Sequence, residues 1–211
     1  VEPIKLGFVE HFPEGGVTIL RSADAGVVFV FDHGPPGLAP LAAHGHADAL
    51  SVQLCVEGEF VLIDPGTYVY NGNRGMRDLF RSTKMHNTVC VGGRNQSEIL
   101  GPFLWGRKAE VLSVELAEGG GCFCVSASHN GYAPAIVKRT IEFTGDRIVI
   151  TDELDGRAFG EAISYLHLPI PGLHVEGGVV EFVLASGGRV CIAAGSYMEA
   201  RPFEWSPSYG T

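Results

Sequence analysis

Two imidazoles, His44 and His46, stand one residue apart in the stretch "LAAHGHADALSVQL", and Asp48 follows two positions later, just ahead of an apolar run. Imidazole is the commonest metal ligand and the side chain that exchanges protons near neutral pH, so the pair points to a site. Asp64 falls in Asp64-Pro65-Gly66, at the end of the run "LSVQLCVEGEFVLI", where a carboxylate can turn into a cleft. His86 and Asn87 open a further apolar run, "HNTVCV". If strand ends gather these residues, His44, His46, Asp64 and His86 converge. Two or three imidazoles with one carboxylate suit Zn²⁺ or another divalent first-row metal. A turn of small polar residues, with histidines bonded to carboxylates and backbone, uses the same residue types, and spacing alone leaves both readings open. Asp48 either orients a histidine or closes the turn through its own backbone.

The elements that must position these residues read as strands. "GVTILRSADAGVVFVFDHG" offers two runs around Ala23-Asp24-Ala25-Gly26, and "LSVQLCVEGEFVLIDPG" two more around Glu57-Gly58, a tight hairpin. Further β-rich runs follow in "HNTVCVGG", "AEVLSVELAEGGGCFCVSAS", "VKRTIEFTGDRIVITDEL", "AISYLHLPI" and "HVEGGVVEFVLASGGRVCIAAG". A single short helical turn is expected in "NRGMRDLFRST", and "RPFEWSPSYGT" reads as an irregular tail. The pattern predicts an all-β fold, antiparallel sheets packed as a β-sandwich, in one domain over 1–211. A two-residue turn at Glu57-Gly58 would set Ser51 opposite Asp64 and point His46 to the other face of the strand, so "HGHAD" must bend out of it. Gly45 makes that bend cheap.

Composition bounds the rest. The 211 residues are 45% hydrophobic, ample for a core, and carry a formal net charge of −9, with Lys and Arg scattered rather than clustered. That leaves no basic footprint for nucleic acid. No stretch is long and apolar enough to span a membrane as a helix, and Val1-Glu2-Pro3 opens no signal peptide. The five cysteines, Cys55, Cys90, Cys122, Cys124 and Cys191, form no metal or redox spacing and are expected as buried free thiols, Cys122 and Cys124 on one strand face. His129 is expected as a satisfied loop histidine and His167 as an internal one with a backbone partner; His11, His33 and His174 carry no motif.

The segment "AAHGHADALSVQLCVEGEFVLIDPGTYVYNG", followed by "FRSTKMHNTVCVGGRNQSE", resembles the signature region of the heparinase II/III-like polysaccharide lyases. The likeness continues more weakly through "ASHNGY", "VKRTIEF", "DELDG" and "WSPSYG". It implies an N-terminal α/α toroid and a C-terminal antiparallel β-sandwich with polysaccharide in the cleft between them. This chain matches only the sandwich, so the toroid becomes an expected partner and the missing signal peptide is accounted for.

The implied reaction is β-elimination at a uronic acid of glycosaminoglycan or alginate type. A base removes the C5 proton, the carboxylate is neutralised, and an acid protonates the departing 4-oxygen. In relatives the toroid supplies a catalytic Tyr with an Asn or His, and the sandwich supplies a His; by position His44 is that residue. His46, Asp64 and His86 match the family's metal ligands, with Zn²⁺ first among the metals, and the implied role of the ion is to hold the loops around His44. Arg81 could pair with a substrate carboxylate or form a structural salt bridge. Tyr68 and Tyr70 share a strand face, lining either the cleft or the core, and Asn87 bonds sugar or caps its strand. Leu79 stands where many relatives carry an aromatic, which weakens any tyrosine role for that turn. The resemblance further implies a periplasmic or extracellular setting and an inactive isolated chain. Two other readings remain open: a carbohydrate-binding domain without chemistry, and a cupin-like metal-dependent oxygenase.

Overall fold

Strict alternation is clearest in "VVFVFD", where Val27, Phe29 and Phe31 point inward and their neighbours are half-exposed. The structure, a computed structural model, describes residues 6–23, 26–119, 121–144, 147–157, 159–203 and 205–207. In chain order the elements are β1 (Leu6–Phe12), β2 (Val17–Ser22), β3 (Val27–Asp32), β4 (Val52–Val56), β5 (Glu59–Leu62), α1 (Arg74–Phe80) and β6 (Val89–Val91). They continue with β7 (Ile99–Gly101), β8 (Leu104–Trp105), β9 (Val111–Gly119), β10 (Cys122–Tyr132), β11 (Ala135–Thr144) and β12 (Arg147–Asp155). Last come β13 (Ala162–Ser164), β14 (Val179–Val183) and β15 (Arg189–Ala193). One sheet has the order β1-β2-β3-β4-β5 and the other β12-β11-β10-β9, with small pairs β6/β13, β7/β8 and β14/β15, all antiparallel.

The core proves the sandwich. Leu20, Phe29, Phe31, Val52 and Val61 from the first sheet form one buried cluster with Phe123, Val125, Ile141 and Phe143 from the second. Each such side chain contributes about 1.5–3 kcal/mol when fully buried. The expected helical turn is α1; the Asn73 side chain caps it by accepting from the Met76 N–H at 3.1 Å. The expected turn around Ala23 and Gly26 includes Asp24 and Ala25, which lie outside the described residues.

The Glu57-Gly58 hairpin is present: both residues have positive φ, +52° and +82°, as a two-residue turn demands, and Val56 pairs with Glu59. Beyond it the register departs from expectation. Cys55 pairs with Phe60 but Leu54 with Leu62, so a β-bulge shifts the pairing by one residue before it reaches Ser51 and Asp64. Past Leu62 no ladder continues; Asn87 is wedged between the strands, its amide donating to the Val52 carbonyl at 2.7 Å and the Ile63 carbonyl at 2.9 Å.

Strand expectations are corrected in "AISYLHLPI", where only Ala162–Ser164 is strand. The rest is held otherwise: Tyr165 N–H donates to the Thr88 carbonyl, and His167 N–H to Asn87 Oδ1. All five cysteines are free, but the expectation of buried thiols fails at Cys122 and Cys191, which are exposed; Cys122 and Cys124 share the face of β10 that turns away from the core residue Phe123. His129 lies in β10 rather than in a loop. Among the described residues no helix is long and apolar enough to cross a membrane.

Candidate active site

The bend required of "HGHAD" is built into residues 42–50. Ala42 and Leu50, one at each end, have φ of +48° and +62°, a left-handed conformation that costs a non-glycine residue about 1–3 kcal/mol. Surrounding bonds hold the loop there: Trp105 Nε1 donates to the Ala42 carbonyl at 2.8 Å, Ala47 N–H to the Arg81 carbonyl at 2.9 Å, and Thr88 Oγ1 to the Ala49 carbonyl at 2.7 Å. Arg139, reaching across from the second sheet, donates to the carbonyls of Leu50 at 2.9 Å and Asn87 at 2.5 Å while its fork grips Asp152. Gly45 serves close approach as well as bending, because a Cβ there would lie 1.5 Å from the Pro36 carbonyl oxygen.

The loop delivers His46 to His86, with ring centroids 5.0 Å apart. His86 is fully buried; its Nδ1 meets Asp64 Oδ2 at 2.7 Å, and its Nε2 has no hydrogen-bond partner among the described residues. Asp64 Oδ1 accepts the Gly66 N–H at 2.8 Å, which fixes the carboxylate. One donor atom each from His46, Asp48 and His86 lies within 4.8 Å of the others. The cluster brought together therefore contains Asp48 beside the two imidazoles, with Asp64 behind His86 as the group that orients it.

Electrostatics match that arrangement. Burial, then the neighbouring His86, lowers His46 to about 3, so it is a neutral imidazole with a lone pair to offer. Burial opposes ionisation of Asp64, but His86, through its charge and hydrogen bond, and the Gly66 N–H outweigh it and hold Asp64 at about 2. Burial likewise opposes a charge on His86, yet Asp64 and Asp48 raise it. Burial and the crowding of Asp48 push Asp32, at the end of β3, up to about 6. Neither the Asp32 role nor that of Arg77 was signalled by the sequence motifs: Asp32 ends an ordinary strand, and Arg77 resembles a surface residue of a short helix. Arg77 is in fact fully buried, with Nη1 3.5 Å from His46 Nε2.

The residues fit a divalent cation. Two imidazoles, one of them neutral and one with an orphaned buried nitrogen, adjoin carboxylates whose mutual repulsion a cation would relieve. The Arg77 guanidinium works against a cation, whereas Asp48 and Asp64, whose charges also crowd Asp32, work for it.

His44 is exposed and stands apart from this cluster, packed edge-on against Tyr70 at 5.1 Å and Phe103 at 5.9 Å between centroids. Tyr68 and Tyr70 do not share a strand face, because the segment is irregular and Tyr68 has φ of +61°; Tyr68 stacks on buried Phe80 instead. Arg81 does not reach the surface. It is fully buried, donates from Nη1 to the carbonyls of Gly101 and Pro102, both at 2.7 Å, and lies 4.0 Å over the Trp105 ring; among the described residues it forms no salt bridge. Asn87 is also inside, its side chain bonded throughout to the chain: beyond the two carbonyls, its Oδ1 accepts the His167 N–H at 2.6 Å and lies 3.1 Å from His167 Nδ1. His167 is internal as expected. His129 is half-satisfied, Nδ1 accepting the Gly131 N–H while Nε2 has no partner.

A family model described as "Heparinase II/III-like, C-terminal" matches residues 6–209. A comparison with curated protein sequences returns no match. Among solved structures, the "Heparinase III-BT4657 gene product" with methylated lysines aligns with TM-score 0.78 at 20% identity, covering 97% of this chain and 31% of that one. The heparan sulfate lyase HepC from Pedobacter heparinus aligns with TM-score 0.78 at 18% identity, covering 97% of this chain and 32% of that one. A structure titled Heparinase III aligns with TM-score 0.70 at 18% identity, over 87% of this chain and 28% of that one. The chain thus spans about a third of the length of these structures, and the likeness to them is one of fold.

Proposed function

Because this chain belongs to the heparinase II/III-like C-terminal family, we propose that it is the β-sandwich part of a polysaccharide lyase that cleaves uronate-containing polysaccharide, of glycosaminoglycan or alginate type, by β-elimination. The observation that carries the reading is the strained loop that presents His44 to solvent while setting His46 against the buried Asp64-bound His86. An acidic polymer outside the cell is the substrate, in a cleft shared with an N-terminal α/α toroid domain, which makes the setting periplasmic or extracellular.

In this reading His44 takes the C5 proton of the uronate or pairs with its carboxylate. The C5–H electron pair becomes the C4=C5 double bond, the C4–O4 bond breaks, and the departing oxygen receives a proton from an acid on the toroid domain. His46 and His86 would hold a divalent metal, Zn²⁺ first among the candidates, with the carboxylates of Asp48 and Asp64 beside them. When bound, such an ion would supply fixed positive charge and tie the loop of His44 to the turn that carries His86. Tyr70 supports the His44 ring, and Arg81 and Asn87 hold the backbone beneath it.

Two measurements test the reading. Metal content of chelator-free protein should be about one ion per chain, lost in His46→Ala; well-folded wild type without metal sinks the metal half. In the longer enzyme, ultraviolet absorbance of the unsaturated product from heparan sulfate or alginate should fall by about 10²-fold or more in His44→Ala. Unchanged turnover there removes His44 from the chemistry.

A further inference from the structure

The tip of the β7/β8 hairpin, Gly101-Pro102-Phe103, sits beside His44 and is held from beneath by two arginines. Arg77 donates from Nε to the Pro102 carbonyl at 3.2 Å and from Nη2 to the Ala43 carbonyl at 3.5 Å. A single guanidinium therefore grips the residue before Phe103 and the residue before His44. Arg81 grips Gly101 and Pro102 in the same way. Both arginines are fully buried, and among the described residues neither forms an ion pair; Asp78, whose charge reaches both, is paired with Arg74 at 3.3 Å.

Burying an unpaired cation is costly unless its hydrogen bonds are made, and Arg81 makes both of its bonds from Nη1 alone while Nε and Nη2 have no partner among the described residues. What the two arginines hold in place is an aromatic surface. The Phe103 ring, on a residue still 39% exposed, stacks on Tyr70 with centroids 6.1 Å apart and planes 15° from parallel. The Arg77 guanidinium lies 4.9 Å from the Tyr70 centroid and 5.8 Å from that of Phe103. A cation near aromatic rings draws their π-electrons toward it and weakens the negative face presented elsewhere. In a chain of net charge −9, this is a place where an anionic ring meets apolar surface over positive charge.

We infer that Phe103, with Tyr70 beside it, is a stacking platform for a pyranose ring of an anionic oligosaccharide, and that Arg77 is the positioning residue that sets its spacing from His44. The proposal rests on the reading of this domain as part of a uronate-polymer lyase and names the subsite that decides which sugar lies against the imidazole.

The test is an NMR titration of the chain with a glucuronate-containing tetrasaccharide and with a mannuronate tetramer, for wild type, Phe103→Ala, Phe103→Tyr and Arg77→Lys, with melting temperature and metal content measured alongside. Phe103→Ala should weaken binding about 10-fold while Phe103→Tyr stays within about twofold, with melting and metal unchanged. Arg77→Lys, which keeps the charge and loses the fork, should still bind sugar but no longer transmit binding to the His44 imidazole resonances. Equal binding by wild type and Phe103→Ala overturns the platform and leaves the lyase reading standing. No binding of either tetramer by wild type also overturns it, and the lyase reading is then decided by metal content and the elimination assay. Undiminished His44 shifts in Arg77→Lys remove the positioning role.

Discussion

Replacing Asn87 with Ala tests whether this residue belongs to the fold or to the sugar. The residue is 1% exposed, and its side chain serves three backbone groups outside the β4/β5 ladder: the carbonyls of Val52 and Ile63 and the N–H of His167. Alanine strands all three in the interior. Each buried polar group left unpaired costs about 1–3 kcal/mol, so the loss is about 3 kcal/mol at least, before any cavity is counted. In a chain of this length 1 kcal/mol moves the melting temperature by about 2–4 °C, which gives a fall of roughly 6–12 °C. Asn87→Asp keeps the volume but turns an acceptor toward two carbonyls and should do worse. Thermal unfolding followed by circular dichroism at neutral pH reads both. A melting temperature within about 2 °C of wild type, with oligosaccharide binding lost, would refute the reasoning and return Asn87 to the substrate.

The remaining expectations are simpler. Burial, with Arg139 and Arg107 adding, lowers His129 to about 4, so the unfolded chain binds a proton that the folded one does not as pH drops below the ordinary imidazole value of 6.5. Its contribution is complete above pH 6.5 and is lost as pH falls toward 4; denaturant unfolding of wild type against His129→Gln should show their stability difference changing by about 2–3 kcal/mol between pH 7.5 and 4.5. A pH-independent difference would mean that His129 titrates alike in the folded and unfolded chain and would refute the burial effect. Gly45→Ala must displace either its own loop or Pro36, and should lower metal content while the sandwich keeps its circular dichroism spectrum. A thiol reagent should modify Cys122 and Cys191 in the native protein and spare buried Cys90, read by mass spectrometry.

What the sequence revealed and what it hid divide along physical lines. The Glu57-Gly58 hairpin was legible because turn chemistry is local. The bulge beyond it was not, since no residue type marks the skipped Val61, and so the opposition of Ser51 and Asp64 was misjudged. The need for "HGHAD" to bend was legible, but the left-handed φ of Leu50 was not, because the bonds that enforce it come from Arg139 and Thr88, far along the chain. His46 and His86 met as expected. Asp48 joined them through the shape of the loop, and Asp64 took the place behind His86. Arg77, Arg81 and Asn87 carry surface residue types, so only tertiary packing reveals that they lie inside and serve backbone carbonyls.

The bonds that pin residues 42–50 also bear on the motion of that loop. Loops commonly open locally at little cost, but here the Ala47 amide is bonded to the Arg81 carbonyl, and the loop carbonyls of Ala42, Ala49 and Leu50 are held by Trp105, Thr88 and Arg139. Freeing the loop then requires disturbing the sandwich itself. Amide hydrogen exchange at Ala47 should be as slow as in β3 and β10, so that His44 rides on a segment whose fluctuations belong to global unfolding rather than to a flexible rim.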